Sequence, residues 1–182
     1  MKKIKILIVD DHTIVRHGIC QSLSLENDFL VVADVDCGRM AVNLALWHRP
    51  DLVIMDIGMP DLNGMDTTKQ ILANNSNIKV IALSMHAEKI YVQGMLDAGA
   101  SGYILKSASF KELIQGIKTV LSGELFFCQD IRHLIIYKND RPCTDNKCSI
   151  FSLLSNKERE VLQLLAEGHR SKEIGEKLSI ST

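Results

Sequence analysis

The chain has 182 residues, is 46% hydrophobic and 24% charged, and carries a net charge of −1. That is an ordinary globular composition with room for one full domain and something smaller. It gives no global electrostatic sign of nucleic-acid or membrane binding, and no apolar run reaches the roughly 20 residues of a membrane span. The opening MKKIKILIVDDH is too short, and too acidic at its end, for a signal peptide. Cysteines stand at 20, 37, 128, 143 and 148, an odd number with no CxxC. They read as incidental reduced thiols in a cytosol rather than as a disulfide framework or zinc site.

Strand and helix signals alternate over the first 125 residues. Ile4–Val9 is apolar and β-branched and ends at Asp10 and Asp11; Thr13–Leu25 has helical spacing. Leu30–Val35 is a second strand and Gly38–Trp47 a second helix. Leu52–Met55 ends at Asp56, and Met65–Ala73 follows as a helix. Val80–Leu83 ends at Ser84; Ile90–Ala98 is helical and closes on Gly99. Tyr103–Leu105 ends at Lys106, and Ser109–Leu121 opens with a capping-box pattern and closes before Gly123. Five strand–helix repeats predict an α/β parallel sheet covered on both faces. From about Glu124 to Ser152 the sequence is loop-like, with Phe126, Phe127 and Ile131–Tyr137 as material for a short helix. Helical order resumes at Ser155, whose Ser-Asn-Lys-Glu is a second capping box. A helix ending near Gly168 is followed by one capped by Ser171, and Ser179–Thr182 reads as a turn and a new cap.

In an open α/β sheet the chemistry lies beyond the carboxyl ends of the strands. Four predicted strand ends deliver Asp10 and Asp11, Asp56, Ser84 and Lys106. Any one of these has a plain reading as a helix cap or a solvated side chain. Together they form a set: three carboxylates repel one another unless a hard divalent cation gathers them. A lysine and a hydroxyl beside that cation supply what a phosphoryl group needs, and a carboxylate can be its nucleophile.

The segments ILIVDDH, DLVIMDIGMPDLNG, VIALSMH and GASGYILK resemble the four motifs of a two-component response regulator over residues 3 to 123. The resemblance implies a flavodoxin-like, doubly wound five-stranded parallel sheet as the receiver domain. It implies that Asp56 accepts a phosphoryl group with Mg2+ as cofactor. Asp11, Asp56 and the Gly58 carbonyl would ligate the metal directly, and Asp10 through water. Ser84 and Lys106 would bind phosphoryl oxygens, and Tyr103 would turn inward as Ser84 moves. Gly58 and His86 occupy positions that flank the attacking water, so His86 is expected to affect how long the phosphate lasts. Pro60 and Gly64 shape the loop after Asp56.

The tail, LLSNKEREVLQLLAEGHRSKEIGEKLSIST, resembles the start of the LuxR-type helix-turn-helix of the NarL/FixJ subfamily. In that domain the next element would be the recognition helix that enters the major groove. The expected organisation is a receiver over 1–124, a linker over 125–152 and a partial all-α helix-turn-helix over 153–182 that lacks this helix. Residues 152–182 carry five basic and five acidic side chains, not an electrostatic footprint for DNA. A truncated form of a longer regulator is the preferred expectation; a natural chain whose output region binds protein is the alternative. The implied partners are a sensor histidine kinase, a second copy on activation, and DNA only through a complete output domain, with no membrane and a cytoplasmic location. A haloacid-dehalogenase-like phosphatase also uses a strand-end Asp nucleophile, but needs a second acid two residues later. Gly58 stands there, so the chain is not expected to be an enzyme acting on outside substrates. A module that works without phosphorylation would have lost one of the motif residues, and none is lost.

Overall fold

The computed structural model describes residues 3–132. The expected helix-turn-helix, most of the linker, and Cys143 and Cys148 lie outside the described residues. Six strands alternate with five helices: β1 Ile4–Val9, α1 Thr13–Ser24, β2 Phe29–Val35, α2 Gly38–His48, β3 Leu52–Asp56, α3 Gly64–Asn74, β4 Lys79–Ser84, α4 Lys89–Asp97, β5 Gly102–Leu105, α5 Phe110–Leu121 and β6 Phe126–Phe127. The sheet order is β2-β1-β3-β4-β5-β6 and all neighbours are parallel.

The strands are apolar nearly throughout because both faces are buried, and their period-two alternation divides the core. Leu7, Val9, Val53, Met55, Val80 and Ala82 face a cluster completed by α2, α3 and α4 through Ala41, Ala45, Ile71, Val92 and Met95. Ile6, Ile8, Leu52, Ile54, Ile81 and Leu83 face the opposite cluster, completed by α1 and α5 through Ile19, Leu23, Leu113, Ile117 and Val120. The helix reversals expected at Gly99 and Gly123 are present, with φ of +98° and +95°, a region that glycine enters without a Cβ clash.

The sheet has one more strand than the five expected. Phe126 and Phe127 pair with Gly102 and Tyr103 instead of starting a helix, and Gln129–Ile131 forms a single 3-10 turn. Glycines make the room: a Cβ on Gly116 would lie 2.8 Å from the Phe126 ring. Phe126 is buried in one cluster, Cys128 and Ile131 in the other. Two residues are too few for sequence periodicity to register. The capping box of α5 is half realised. The Ser109 side chain accepts the Glu112 N–H, but Glu112 Oε1 accepts from the Gln129 N–H at 3.1 Å, tying the 3-10 turn to α5.

Helix α2 has no side-chain cap of its own. The carboxylate of Asp61, in the β3–α3 loop, accepts the N–H groups of Gly38 and Arg39 at 3.0 and 3.2 Å. The N–H of Leu62, then that of Gly38, hold the Asp61 carboxyl below its ordinary pKa. The loop after Asp56 is thereby fastened to a neighbouring helix.

Gly64 begins α3 directly against the end of β3, where a Cβ would lie 2.1 Å from the Asp56 carbonyl oxygen and 2.8 Å from Ile57 Cα. Both neighbours are backbone and cannot step aside. Gly64→Ala is therefore expected to destabilise the domain by about 3 kcal/mol, read as a lower urea midpoint with an unchanged slope. A midpoint within error of the parent would show that the loop relaxes freely.

Candidate phosphoacceptor site

The site lies where the chain leaves β1, β3, β4 and β5 on the same edge of the sheet. β2 lies to one side of β1 and β3 to the other, so the connections out of β1 and β3 part and leave a crevice. Asp56 is the last residue of β3 and is buried, as is Asp10 just past β1.

Lys106, one residue beyond β5, reaches back across this edge. Its backbone N–H donates to the Ser84 carbonyl at 2.7 Å. Its Nζ lies 2.7 Å from Asp56 Oδ2, 3.0 and 2.9 Å from the two Asp10 oxygens, and 3.2 Å from His12 Nδ1. The side chains of Lys106, Asp10 and Asp56 are only 3%, 1% and 4% exposed. An ion group this dry is stable only when its charges are paired and its donors used, and the three ammonium donors here find acceptors on three residues, Asp56, Asp10 and His12.

The two buried aspartates respond differently. Burial raises the Asp10 pKa by more than the Lys106 hydrogen bond and the His12 N–H lower it. Burial also acts on Asp56, but the Lys106 hydrogen bond and charge, together with the Gly58 N–H at 3.3 Å from Oδ1, bring it below its ordinary value. Asp56 is therefore the carboxylate held ionised, the state a nucleophile needs.

Two residues not singled out in the sequence complete the acidic corner. His12 Nδ1 lies 2.7 Å from Asp11 Oδ1, 3.3 Å from Asp10 Oδ1 and 3.6 Å from Asp56 Oδ2. Arg16, buried on the inner face of α1 with Ile19 and Leu23, donates from one guanidinium nitrogen to the Asp10 carbonyl at 2.6 Å. Its Nε donates to Asp34 at 3.0 Å. A cation at helical spacing with two core residues was the available sequence signal for Arg16.

One ligand atom each from Asp10, Asp11, His12 and Asp56 lies within 4.8 Å of the others. Asp11 Oδ1 is a buried acceptor without a hydrogen bond, and Asp10 Oδ2 has only the charge of the Lys106 ammonium beside it, at 2.9 Å. Buried carboxylate oxygens with acceptor capacity to spare fit a divalent cation.

Ser84 and Tyr103 are joined to each other, not to the carboxylates. Ser84 Oγ accepts the His86 N–H at 3.0 Å, and the Tyr103 hydroxyl donates to the His86 carbonyl at 2.8 Å. Tyr103 was expected to turn inward on activation; here its ring is already inward and 1% exposed. The carbonyl satisfies the hydroxyl, so the ring can be buried whole. Burial pushes its pKa up to about 12, against some lowering by the Ser84 hydroxyl. The His86 ring stacks on Tyr91 with centroids 4.5 Å apart and an interplanar angle of 19°.

Residues 6–118 match the response regulator receiver domain, and residues 152–182 match the bacterial regulatory proteins of the luxR family. The chain belongs to the two-component response regulators. It is 35% identical over 192 residues to the transcriptional regulatory protein DegU of Brevibacillus brevis, covering 98% of this chain and 81% of DegU. A LuxR-family two-component response regulator from Aurantimonas sp. SI85-9A1 superposes with a TM-score of 0.71 at 31% identity, over 75% of this chain and 97% of that one. RcsB, solved as two dimers bound to two parallel DNAs, superposes with a TM-score of 0.70 at 27% identity, over 99% of this chain and 85% of RcsB. A receiver followed by a LuxR-type output region is the organisation of transcriptional response regulators, and this chain has it.

The signs of the two pKa shifts make the regulator's acid pocket testable. Asp56, lowered, contributes stability above the unfolded carboxylate pKa and loses it as pH falls through its own lower value. Asp10, raised, contributes below the unfolded value and loses that as pH rises through its higher one. Lys106→Met leaves both without their cation. The Asp56 pKa should then rise in carboxyl carbon NMR. Stability at neutral pH should fall by about 3 kcal/mol, a deficit that shrinks as pH falls through the raised carboxylate pKa values of the variant. An Asp56 signal still titrating below the ordinary range would remove Lys106 from its assigned role.

Proposed function

We propose that the regulator is switched by phosphorylation of Asp56 with Mg2+ as cofactor, and that the switch controls transcription through the C-terminal output region. The observation that carries this reading is the buried ammonium of Lys106, 2.7 Å from an Asp56 carboxylate held ionised at the open edge of the sheet.

The residues divide the chemistry as follows. An Asp56 carboxylate oxygen attacks the phosphorus of a phosphorylated donor; the new P–O bond forms as the bond to the donor's leaving group breaks. Lys106 moves its hydrogen bond from the carboxylate to a phosphoryl oxygen and offsets the charge gathering there. The Ser84 hydroxyl turns from the His86 N–H to a second phosphoryl oxygen. Asp11, Asp56 and the Gly58 carbonyl would hold the Mg2+, with Asp10 acting through water, and the cation would supply charge neutralisation. Tyr103 and Ser84 are the switch pair, coupled through the two backbone groups of His86. Phosphate on Asp56 thus biases an equilibrium between two arrangements of the β4–α4 region.

The proposed organisation is a receiver over 1–124, a linker over 125–152 and a LuxR-type output region over 153–182; β6 adds the first linker residues to the edge of the receiver sheet. The partners are a sensor histidine kinase as donor, a second copy on activation, and DNA through the output domain. Dimers of RcsB on DNA support the last two. Among the described residues no helix is long and apolar enough to cross a membrane, and the proposed compartment is the cytoplasm. The regulator modifies itself rather than turning over outside substrates, since Gly58 leaves no acid two residues beyond Asp56.

Intact mass after incubation with acetyl phosphate and Mg2+ tests this. One phosphoryl adduct is expected, absent in Asp56→Ala and when the metal is chelated. An adduct that persists in Asp56→Ala would place the acceptor elsewhere. The same adduct should decay at a several-fold different rate in His86→Ala, because the ring stacked on Tyr91 sets the loop whose backbone carries both switch hydrogen bonds. An unchanged decay rate would exclude the side chain from control of phosphate lifetime.

A further inference from the structure

We propose that His12 is a further ligand of the cation site, bringing one imidazole nitrogen to a set otherwise made of oxygens. This rests on the reading of the acidic corner as a cation site, and goes beyond the aspartates and carbonyl already assigned to it.

Three observations support it. The first is position: His12 Nδ1 lies 2.7, 3.3 and 3.6 Å from oxygens of Asp11, Asp10 and Asp56. A small octahedral cation with bonds of about 2.1 Å sets neighbouring donors roughly 3 Å apart. The nitrogen thus occupies a place that a ligand of the same ion would take.

The second is the direction of the lone pair. Lys106 Nζ lies 3.2 Å from Nδ1, and an ammonium can only donate. In the tautomer that accepts from Lys106, Nδ1 carries its lone pair into the cluster, where a bound cation takes it over from Lys106. That tautomer does not donate to Asp11, whose Oδ1, 2.7 Å away, is a buried acceptor with no hydrogen bond. Two lone pairs at this separation need a positive charge between them, which either a proton on Nδ1 or a shared metal ion supplies.

The third is anchoring. The His12 backbone N–H donates to Asp10 Oδ1 at 2.8 Å, and the His12 carbonyl accepts the Arg16 N–H at 3.0 Å. Arg16 in turn holds the Asp10 carbonyl. The ring is 57% exposed, so no core packing holds it over the carboxylates. The fixed backbone and the polar contacts do.

A nitrogen donor alters which ion the site prefers. Carboxylate, carbonyl and water suit Mg2+ and Mn2+ alike, whereas imidazole adds affinity for transition metals and little for Mg2+. The regulator should therefore favour Mn2+ over Mg2+ by more than its carboxylates alone would.

The full chain, its His12→Asn variant and its Asp11→Asn variant would each be titrated with Mn2+ and with Mg2+ by calorimetry. Bound Mn2+ would be examined by pulsed electron paramagnetic resonance for a directly coordinated nitrogen. The parent should show the nitrogen coupling, and His12→Asn should lose it. The Mn2+-over-Mg2+ preference should fall about tenfold in His12→Asn, with Mg2+ affinity nearly unchanged. Mn2+ that needs Asp11 but shows no nitrogen coupling in the parent, or retains it in His12→Asn, overturns the role of His12 alone. Mn2+ binding that ignores Asp11→Asn overturns the cation site itself, and this proposal with it.

Discussion

Everything at the working edge of this receiver is arranged around one buried ammonium. Lys106 is the cation through which Asp10 and Asp56, both almost fully removed from water, can coexist. Its stem crosses from the end of β5 to the ends of β1 and β3, so its charge interaction also fixes the relative position of three strands. A buried ion group adds little net stability compared with apolar packing, but it penalises any arrangement that leaves one member alone. The geometry is therefore specified tightly, at the place where small movements are to be read.

Two backbone groups of His86 carry the next level. Its N–H is held by Ser84 and its carbonyl by Tyr103. In the proposed switch, a change in what Ser84 contacts would pass through this residue to the aromatic ring and, by the stack on Tyr91, to α4. The path is short and made of hydrogen bonds and one ring contact, which suits a two-arrangement element. The loop after Asp56 is held more firmly. Asp61 caps α2, Asn63 caps α3, and Gly64 packs its Cα against the end of β3. One side of the crevice is thus fastened to two helices and a strand end, while the other hangs on the two His86 hydrogen bonds and one ring contact.

The outer strand shows how far local pattern can mislead. Phe126 and Phe127 lie in a stretch with no period and with turn-forming residues further on, and two strand-favouring aromatics are too few to mark a strand by themselves. They become a strand because β5 has an open edge and Gly116 leaves space for an aromatic ring. Glu112, placed by sequence to close its own capping box, instead accepts a hydrogen bond from the turn after that strand. In both cases a tertiary partner offered more than the local one.

The sequence by itself determined the alternation of strands and helices, the burial of both sheet faces, and the four strand ends that carry Asp10, Asp11, Asp56, Ser84 and Lys106. Those follow from periodicity and from polar residues ending apolar runs, both of which are local properties of the chain. Only the tertiary structure decided which groups touch. It brought the His12 ring nitrogen to Asp11, set Arg16 on the Asp10 carbonyl, put Tyr103 inward, and gave Asp10 and Asp56 opposite pKa shifts although both are buried beside the same lysine. Contacts of this kind join residues up to 96 positions apart. They depend on rotamer, desolvation and the direction of lone pairs, none of which a one-dimensional pattern encodes.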